Sequence, residues 1–152
     1  MRKTLFFLIF TASFSVSASF LETRWDLVQF IGERWLSKRS EAHQNFKEKF
    51  QSFKDGYADG MFYQCNAQGQ SMTYNSYTPK EFFSNPEMEV FKKYRARLNF
   101  NESKIAVHRI TCAQTSDVIY PFVTQNNNSN AYYPFEGGIY ILEDGIKGNS
   151  NK

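Results

Sequence analysis

Apolar positions along the chain change their spacing four times, and each change predicts a change of element. Leu5 to Phe14 form a continuous apolar stretch behind Arg2 and Lys3. From Phe20 to Phe53 the spacing is helical or ambiguous. Leu21, Trp25, Val28, Trp35 and Leu36 can share a helix face, while an alternative reading makes Leu27 to Leu36 the first strand of a barrel, so residues 21–36 stay open between the two. Phe46, Phe50 and Phe53, with Ser40 as a cap and Gly56 as a stop, predict a helix over about 40–54. On either element Trp35 is expected to pack in the core with Trp25 or with strand aromatics.

Beyond Gly56 the texture is that of strands. GMFYQCN, the turn-like AQGQ and SMTYNSY read as a hairpin, with Met61, Tyr63 and Cys65 on one face and Phe62 and Gln64 on the other. In TPKEFFSNPEMEVFKKY, Thr78 is a cap, Pro79 takes the first helical position and Lys92 and Lys93 lie near the end, which predicts a short helix split in two by Pro86. RARLNF and IAVHRITC read as a second hairpin. Leu98, Phe100, Ile105 and Val107 keep period two, but Ile110 and Cys112 fall in the opposite phase, which predicts an irregularity near His108. DVIYPFVT and AYYPFEGGIYILE form a third pair, and their Pro121 and Pro134 point to edge positions or bulges rather than central ladder sites.

Arg2 and Lys3, the apolar stretch and the small Ala18 together read as a secretory signal over residues 1–18. About ten apolar residues cannot cross a bilayer core of roughly 30 Å as a helix, and no later stretch is longer, so no membrane span is expected. The expectation is a periplasmic or secreted protein with one β-rich domain over 19–145 and a disordered tail over 146–152. Loss of Arg2 and Lys3 takes the formal charge from +3 to about +1, which removes any reason to expect nucleic acid as a partner. Aromatic residues make up 18% of the chain, a density that favours strands and a core built on rings. Cys65 and Cys112 are the two cysteines, and in an oxidising compartment they are expected to pair; the alternative is two buried thiols.

Candidate chemistry is sparse. His43 and His108 are the two histidines, and no HExxH, GxSxG or CxxC arrangement accompanies them. His43 reads as a solvated side chain and His108 as one packed in a strand, so no catalytic residue is assigned and no enzyme is expected. DGYADG, Asp55 to Gly60, has two carboxylates four apart before a glycine, but Tyr57 and Asn66 stand where a calcium loop needs oxygen ligands, so it reads as a turn into a strand with no metal or cofactor. Tyr120, Phe122, Tyr132, Tyr133 and Phe135, beside the flexible Gly137 and Gly138, either fill a core or form a binding surface for a ligand or partner.

Three segments resemble, in order, the META domain family of bacterial exported and outer-membrane stress proteins. WDLVQFIG, Trp25 to Gly32, is similar to its opening Trp-x-Leu strand; FKDGYADGMFYQCN, Phe53 to Asn66, to its Asp-Gly, Gly, Cys-Asn run; and HRITCA, His108 to Ala113, to its Arg-x-x-Cys. One extra residue separates Gly60 from Cys65 relative to that pattern. WDLVQFIGERW is also similar to the lipocalin opening, and FYQCNAQGQSMTY to the Tyr-x-Cys strand of periplasmic lysozyme inhibitors. All three resemblances imply a mainly β fold, a small antiparallel barrel or curved sheet with one or two short helices. META resemblance implies a non-enzymatic envelope protein that binds a partner, such as another envelope protein, or protects under stress. The alternatives are a lipocalin-like carrier of a small hydrophobic ligand and an inhibitor of a lytic enzyme such as lysozyme.

Overall fold

In a computed structural model, residues 23–36, 49–54, 57–65, 71–98, 104–112, 121–125 and 130–145 are described. Eight strands form one antiparallel sheet curled into a half-barrel. They are β1 (Arg24–Ile31), β2 (Phe50–Lys54), β3 (Tyr57–Gly60), β4 (Ser71–Tyr77), β5 (Ile105–Thr111), β6 (Phe122–Gln125), β7 (Asn130–Phe135) and β8 (Gly138–Asp144). Their spatial order is β3-β2-β1-β8-β7-β6-β5-β4, so the first and last of these described strands meet near the middle of the sheet. Two short helices, α1 (Pro79–Ser84) and α2 (Glu89–Lys93), link β4 to β5 together with 3-10 turns at Pro86–Met88 and Arg95–Arg97. Thr78 caps α1 as expected: its hydroxyl accepts from the Glu81 N–H, and the Glu81 carboxylate accepts from the Thr78 N–H at 2.8 Å.

Both faces of the sheet are covered. On the inner face Trp25, Leu27, Phe53, Tyr63, Ile110, Phe122, Tyr133, Tyr140 and Leu142 pack with both cysteines. On the outer face Phe82, Phe83, Met88, Phe91 and Leu98 of the helical segment lie on Ile31, Ile105, Val107, Val123, Tyr132 and Ile139. This double coverage explains the phase change in IAVHRITC without a bulge. Ile105 and Val107 face the helices, Ile110 and Cys112 face inward, and the β4–β5 register runs unbroken from Ser71↔Thr111 to Tyr77↔Ile105.

The irregularity lies instead in β1. Its register with β8 shifts between Leu27↔Leu142 and Gln29↔Ile141, which leaves Val28 as an extra, exposed residue. Before the bulge Trp25 and Leu27 point inward; after it Phe30 points inward and Ile31 outward. Broken alternation is why residues 21–36 mimic helical spacing, and over Arg24–Ile31 the strand alternative is the correct one.

Other expectations are corrected. Phe50–Lys54 is strand, held between β1 and β3, so the predicted helix does not include its last five positions; residues 40–48 lie outside the described ones. GMFYQCN does not pair with SMTYNSY. Gly60, at φ +147, turns the chain back so that Cys65 bridges to Ala58 through two hydrogen bonds of 2.9 and 2.8 Å, and β4 pairs with β5. RARLNF contributes no strand at Arg95–Arg97, because burying Leu98 under the helices draws that segment into a 3-10 turn. The third pair forms as β6 and β7, and AYYPFEGGIYILE itself contains the β7–β8 hairpin. Pro134 is not on an edge strand, since β7 lies between β6 and β8; it is tolerated because it stands two residues past the Val123↔Tyr132 pairing, where no β6 partner waits for an N–H. Trp35 is 60% exposed, whereas Trp25 fills the inner core. Residues 1–18 and 146–152 lie outside the described ones.

The Cys65–Cys112 disulfide is formed, with α-carbons 6.0 Å apart. Replacing both cysteines by serine is expected to remove about 3–4 kcal/mol of stability, measured by urea unfolding; a loss under about 1 kcal/mol would contradict it. The two tryptophans are expected to separate in the same assay. Trp25→Ala costs about 3–5 kcal/mol, while Trp35→Ala changes stability by less than about 1 kcal/mol.

Candidate functional site

Aromatic side chains gather where the inner face opens to solvent, and backbone features explain how each arrives. Phe30 is delivered by the β1 bulge and lies over glycines of both flanking segments. A Cβ on Gly138 would stand 2.2 Å from its ring, and one on Gly32 2.5 Å, so only glycine leaves room for it. Phe62 is placed by Gln51, a fully buried amide on β2. Gln51 Oε1 accepts from the N–H groups of Phe62 and Tyr63, both at 3.0 Å, and Nε2 donates to the carbonyls of Tyr63 at 2.9 Å and Asp59 at 3.2 Å. With both ends of the amide engaged, Phe62 is folded over the inner face.

The Phe62 ring meets Tyr133 at 4.2 Å between centroids, Tyr140 at 5.1 Å, Phe122 at 6.3 Å and Phe135 at 6.5 Å. Beneath it Phe122 stacks on Tyr133 at 4.7 Å and meets Phe53 edge-on at 5.0 Å; Phe30 closes the far side against Tyr140 at 4.8 Å. Pairs of this kind contribute about 0.5–1.5 kcal/mol each beyond area burial. Phe53 and Phe122 are fully buried, Phe30 and Phe62 are half-buried, and Phe135 is 37% exposed, so the stack is a filled core whose top is an aromatic mouth.

The turn beside the mouth supplies its charge. Glu136 and Gly137 form a two-residue hairpin loop with φ of 49° and 77°, both left-handed, as a type I′ turn requires. The Tyr140 hydroxyl has its pKa raised, first by burial and then by the Glu136 carboxylate.

Tyr133 and Phe135 therefore do meet at the mouth, with Phe122 as its floor. Tyr132 does not join them: strand alternation turns it to the outer face among Val123, Ile139 and the helices. Tyr120 lies outside the described residues. Phe30, Phe62 and Tyr140 are members that the sequence reading missed. Alternation from Leu142 back to Tyr140 carries a usable signal for one of them. The alternating reading of residues 61–65 fails, because Phe62 packs on the same inner cluster as Tyr63 and Cys65 while Met61 is exposed, and Phe30 depends on the bulge.

His108 is buried on the inner side of β5, its Nε2 hydrogen-bonded with Thr124 Oγ1 at 2.7 Å and its ring 5.3 Å from that of Tyr74. Burial lowers its pKa to about 4. Tyr57–Gly60 of the DGYADG segment is β3; Asp55 and Gly56 lie outside the described residues, as does His43. Among the described residues no three His, Cys, Asp or Glu side chains converge. Comparison with protein-family models, curated proteins and solved structures finds no match to this chain.

The His108 shift fixes a pH dependence. The folded protein keeps this imidazole neutral to about pH 4, whereas the unfolded chain takes up a proton below about 6.5. Stability is therefore full above about pH 6.5 and falls as pH drops toward 4, by roughly 3 kcal/mol. In His108→Gln that slope is expected to flatten in urea titrations between those limits. The lowered pKa values of Glu33 and Glu81 come into play as pH falls through the ordinary carboxylate value of 4.5, so it is the slope above about pH 5.5 that isolates His108.

Proposed function

We propose that the protein is an exported, non-enzymatic binding protein of META-like character, which holds a partner protein across the aromatic mouth. The observation that carries this reading is the mouth itself: half-buried Phe30 and Phe62 and exposed Phe135 stand on a ring-filled, disulfide-closed sheet. Rigid aromatic side chains bind with little loss of rotamer freedom, and a filled floor keeps them from sinking inward.

A partner fits this geometry better than a small hydrophobic cargo. Phe53, Phe62, Phe122 and Tyr133 occupy the inner side where a carrier holds its ligand, and Trp35, the tryptophan of the lipocalin-like opening, is on the surface. The absence of an assigned reaction rests on the same residues: Cys65 and Cys112 are bonded to each other, and His108 is buried and neutral. Export is supported by the charged and apolar start of the sequence and by the disulfide. No helix among the described residues is long and apolar enough to cross a membrane.

Native mass spectrometry of protein purified from the periplasm tests the reading. The expected species lacks residues 1–18 and carries a protein partner. Phe135→Ser should weaken that complex by on the order of tenfold while changing stability by no more than about 1 kcal/mol. A small apolar molecule retained one-to-one and indifferent to Phe135→Ser would establish the carrier instead, and a chain recovered free of any partner would refute both.

A further inference from the structure

A second surface lies on the opposite side of the sheet, at the end of the helical layer. Lys92, Lys93, Arg95 and Arg97 place four cations within six residues, all exposed. The acids of this layer are engaged elsewhere or only loosely: Glu81 closes the α1 capping box, Glu87 pairs with Arg109, and Glu89 approaches Lys92 only to 4.0 Å. Arg95 lies over the Phe83 ring at 4.4 Å, and Arg97 donates to the Gly32 carbonyl at 3.2 Å. Neither contact cancels charge.

Trp35 stands beside this cluster with 60% of its surface exposed. Its Nε1 donates to Glu33 Oε2 at 2.8 Å, and the other oxygen of that carboxylate pairs with Lys93, so one acid fixes the indole next to the cations. Between α2 and the β7–β8 turn runs an open groove of about 510 Å³ lined by Glu89, Val90, Lys92, Lys93 and Gly137. Glu136, next to that groove in sequence, acts on Tyr140 on the inner face.

We propose that this end of the helical layer docks on an anionic phospholipid bilayer, with Trp35 at headgroup depth and Arg95, Arg97 and the loosely paired Lys92 supplying the attraction, while Lys93 stays paired with Glu33. Net positive charge is complementary to anionic headgroups, and an amphipathic indole fixed at the surface is the side chain that partitions to the boundary between water and lipid. An open groove suits an extended surface better than an enclosed ligand.

The two tryptophans make the test internal, since buried Trp25 reports folding and exposed Trp35 reports docking. Protein with its disulfide intact is mixed with vesicles of phosphatidylglycerol and phosphatidylcholine at about one to three, or of phosphatidylcholine alone, and followed by co-sedimentation and tryptophan emission. The expected result is binding to the anionic vesicles with a blue shift, both lost in about 1 M salt, where the screening length is roughly 3 Å. Trp35→Phe should abolish the shift, and Lys92→Gln with Arg95→Gln should weaken binding by on the order of tenfold or more. Equal binding to neutral vesicles, binding without a shift, or no binding overturns the proposal. Should the double variant lose the buried Trp25 emission, the salt dependence and Trp35→Phe decide the matter alone.

Discussion

Cys65 and Cys112 stand near opposite ends of the strand order, and the bond between them dictates the shape of everything else. Cys65 is bridged to the outer side of β3, whereas Cys112 follows β5, next to the other edge strand. In a flat sheet the seven steps from the Cys65 segment to β5 would span roughly 34 Å at about 4.8 Å each. The observed α-carbon separation is 6.0 Å. Only a strongly curled sheet reconciles these distances, and curling produces an inner face narrow enough for rings from β2, β6, β7 and β8 to touch across it. Backbone hydrogen bonds hold neighbouring strands, but the disulfide makes a covalent contact between the two flanks of the curl.

Closing the sheet in this way puts a burden on the segment that carries Cys65. Residues 61–65 must turn back over the inner face, which exposes their backbone groups to an apolar core, where each unpaired group would cost about 1–3 kcal/mol. Gln51 resolves this. Its amide satisfies Phe62 and Tyr63 from within β2, where a hydrophobic residue of similar volume would leave those N–H groups without acceptors. Gly60 is equally constrained, because a Cβ there would lie 2.4 Å from the Phe50 carbonyl oxygen. A polar side chain in the core and a glycine at its turn are thus local conditions for both the disulfide and the placement of Phe62.

The legible parts of the sequence were those decided locally. The cap, proline and split helix over 78–93 follow from residue types at fixed offsets, and the β6–β7 pair from two apolar runs around a polar turn. The disulfide was legible from the presence of two well-separated cysteines behind an export-like start. Long-range choices were not legible. β4 could pair with the run before it or the one after it, and the outcome was decided by Gly60 turning residues 61–65 onto β3. Burial on both sides of the sheet erased the alternation that normally marks a strand, so IAVHRITC looked broken where it is regular, and RWDLVQFI looked helical where a bulge flips its phase. The mouth was half legible for the same reason: Tyr133 and Phe135 lie on one regular strand, but Phe30 reaches them only through that bulge.

The two exposed surfaces share a single element. In the β7–β8 turn, Glu136 takes a left-handed conformation that costs a non-glycine residue about 1–2 kcal/mol, and its carboxylate acts on Tyr140 at the aromatic mouth. Gly137, the next residue, borders the basic groove beside α2. Successive strand positions alternate between faces, so Tyr140 and Leu142 belong to the inner core while Ile139 and Ile141 support the helices. The sheet therefore separates an aromatic surface edged by one acid from a cationic surface edged by one exposed indole, with buried side chains filling the space between. Because the outer face is packed against helices and the inner face is filled by rings, neither surface needs to collapse inward to satisfy the core. That is the physical condition under which Phe135 and Trp35 can both remain in solvent on a stable fold, and under which an occupant on one side leaves the other side free.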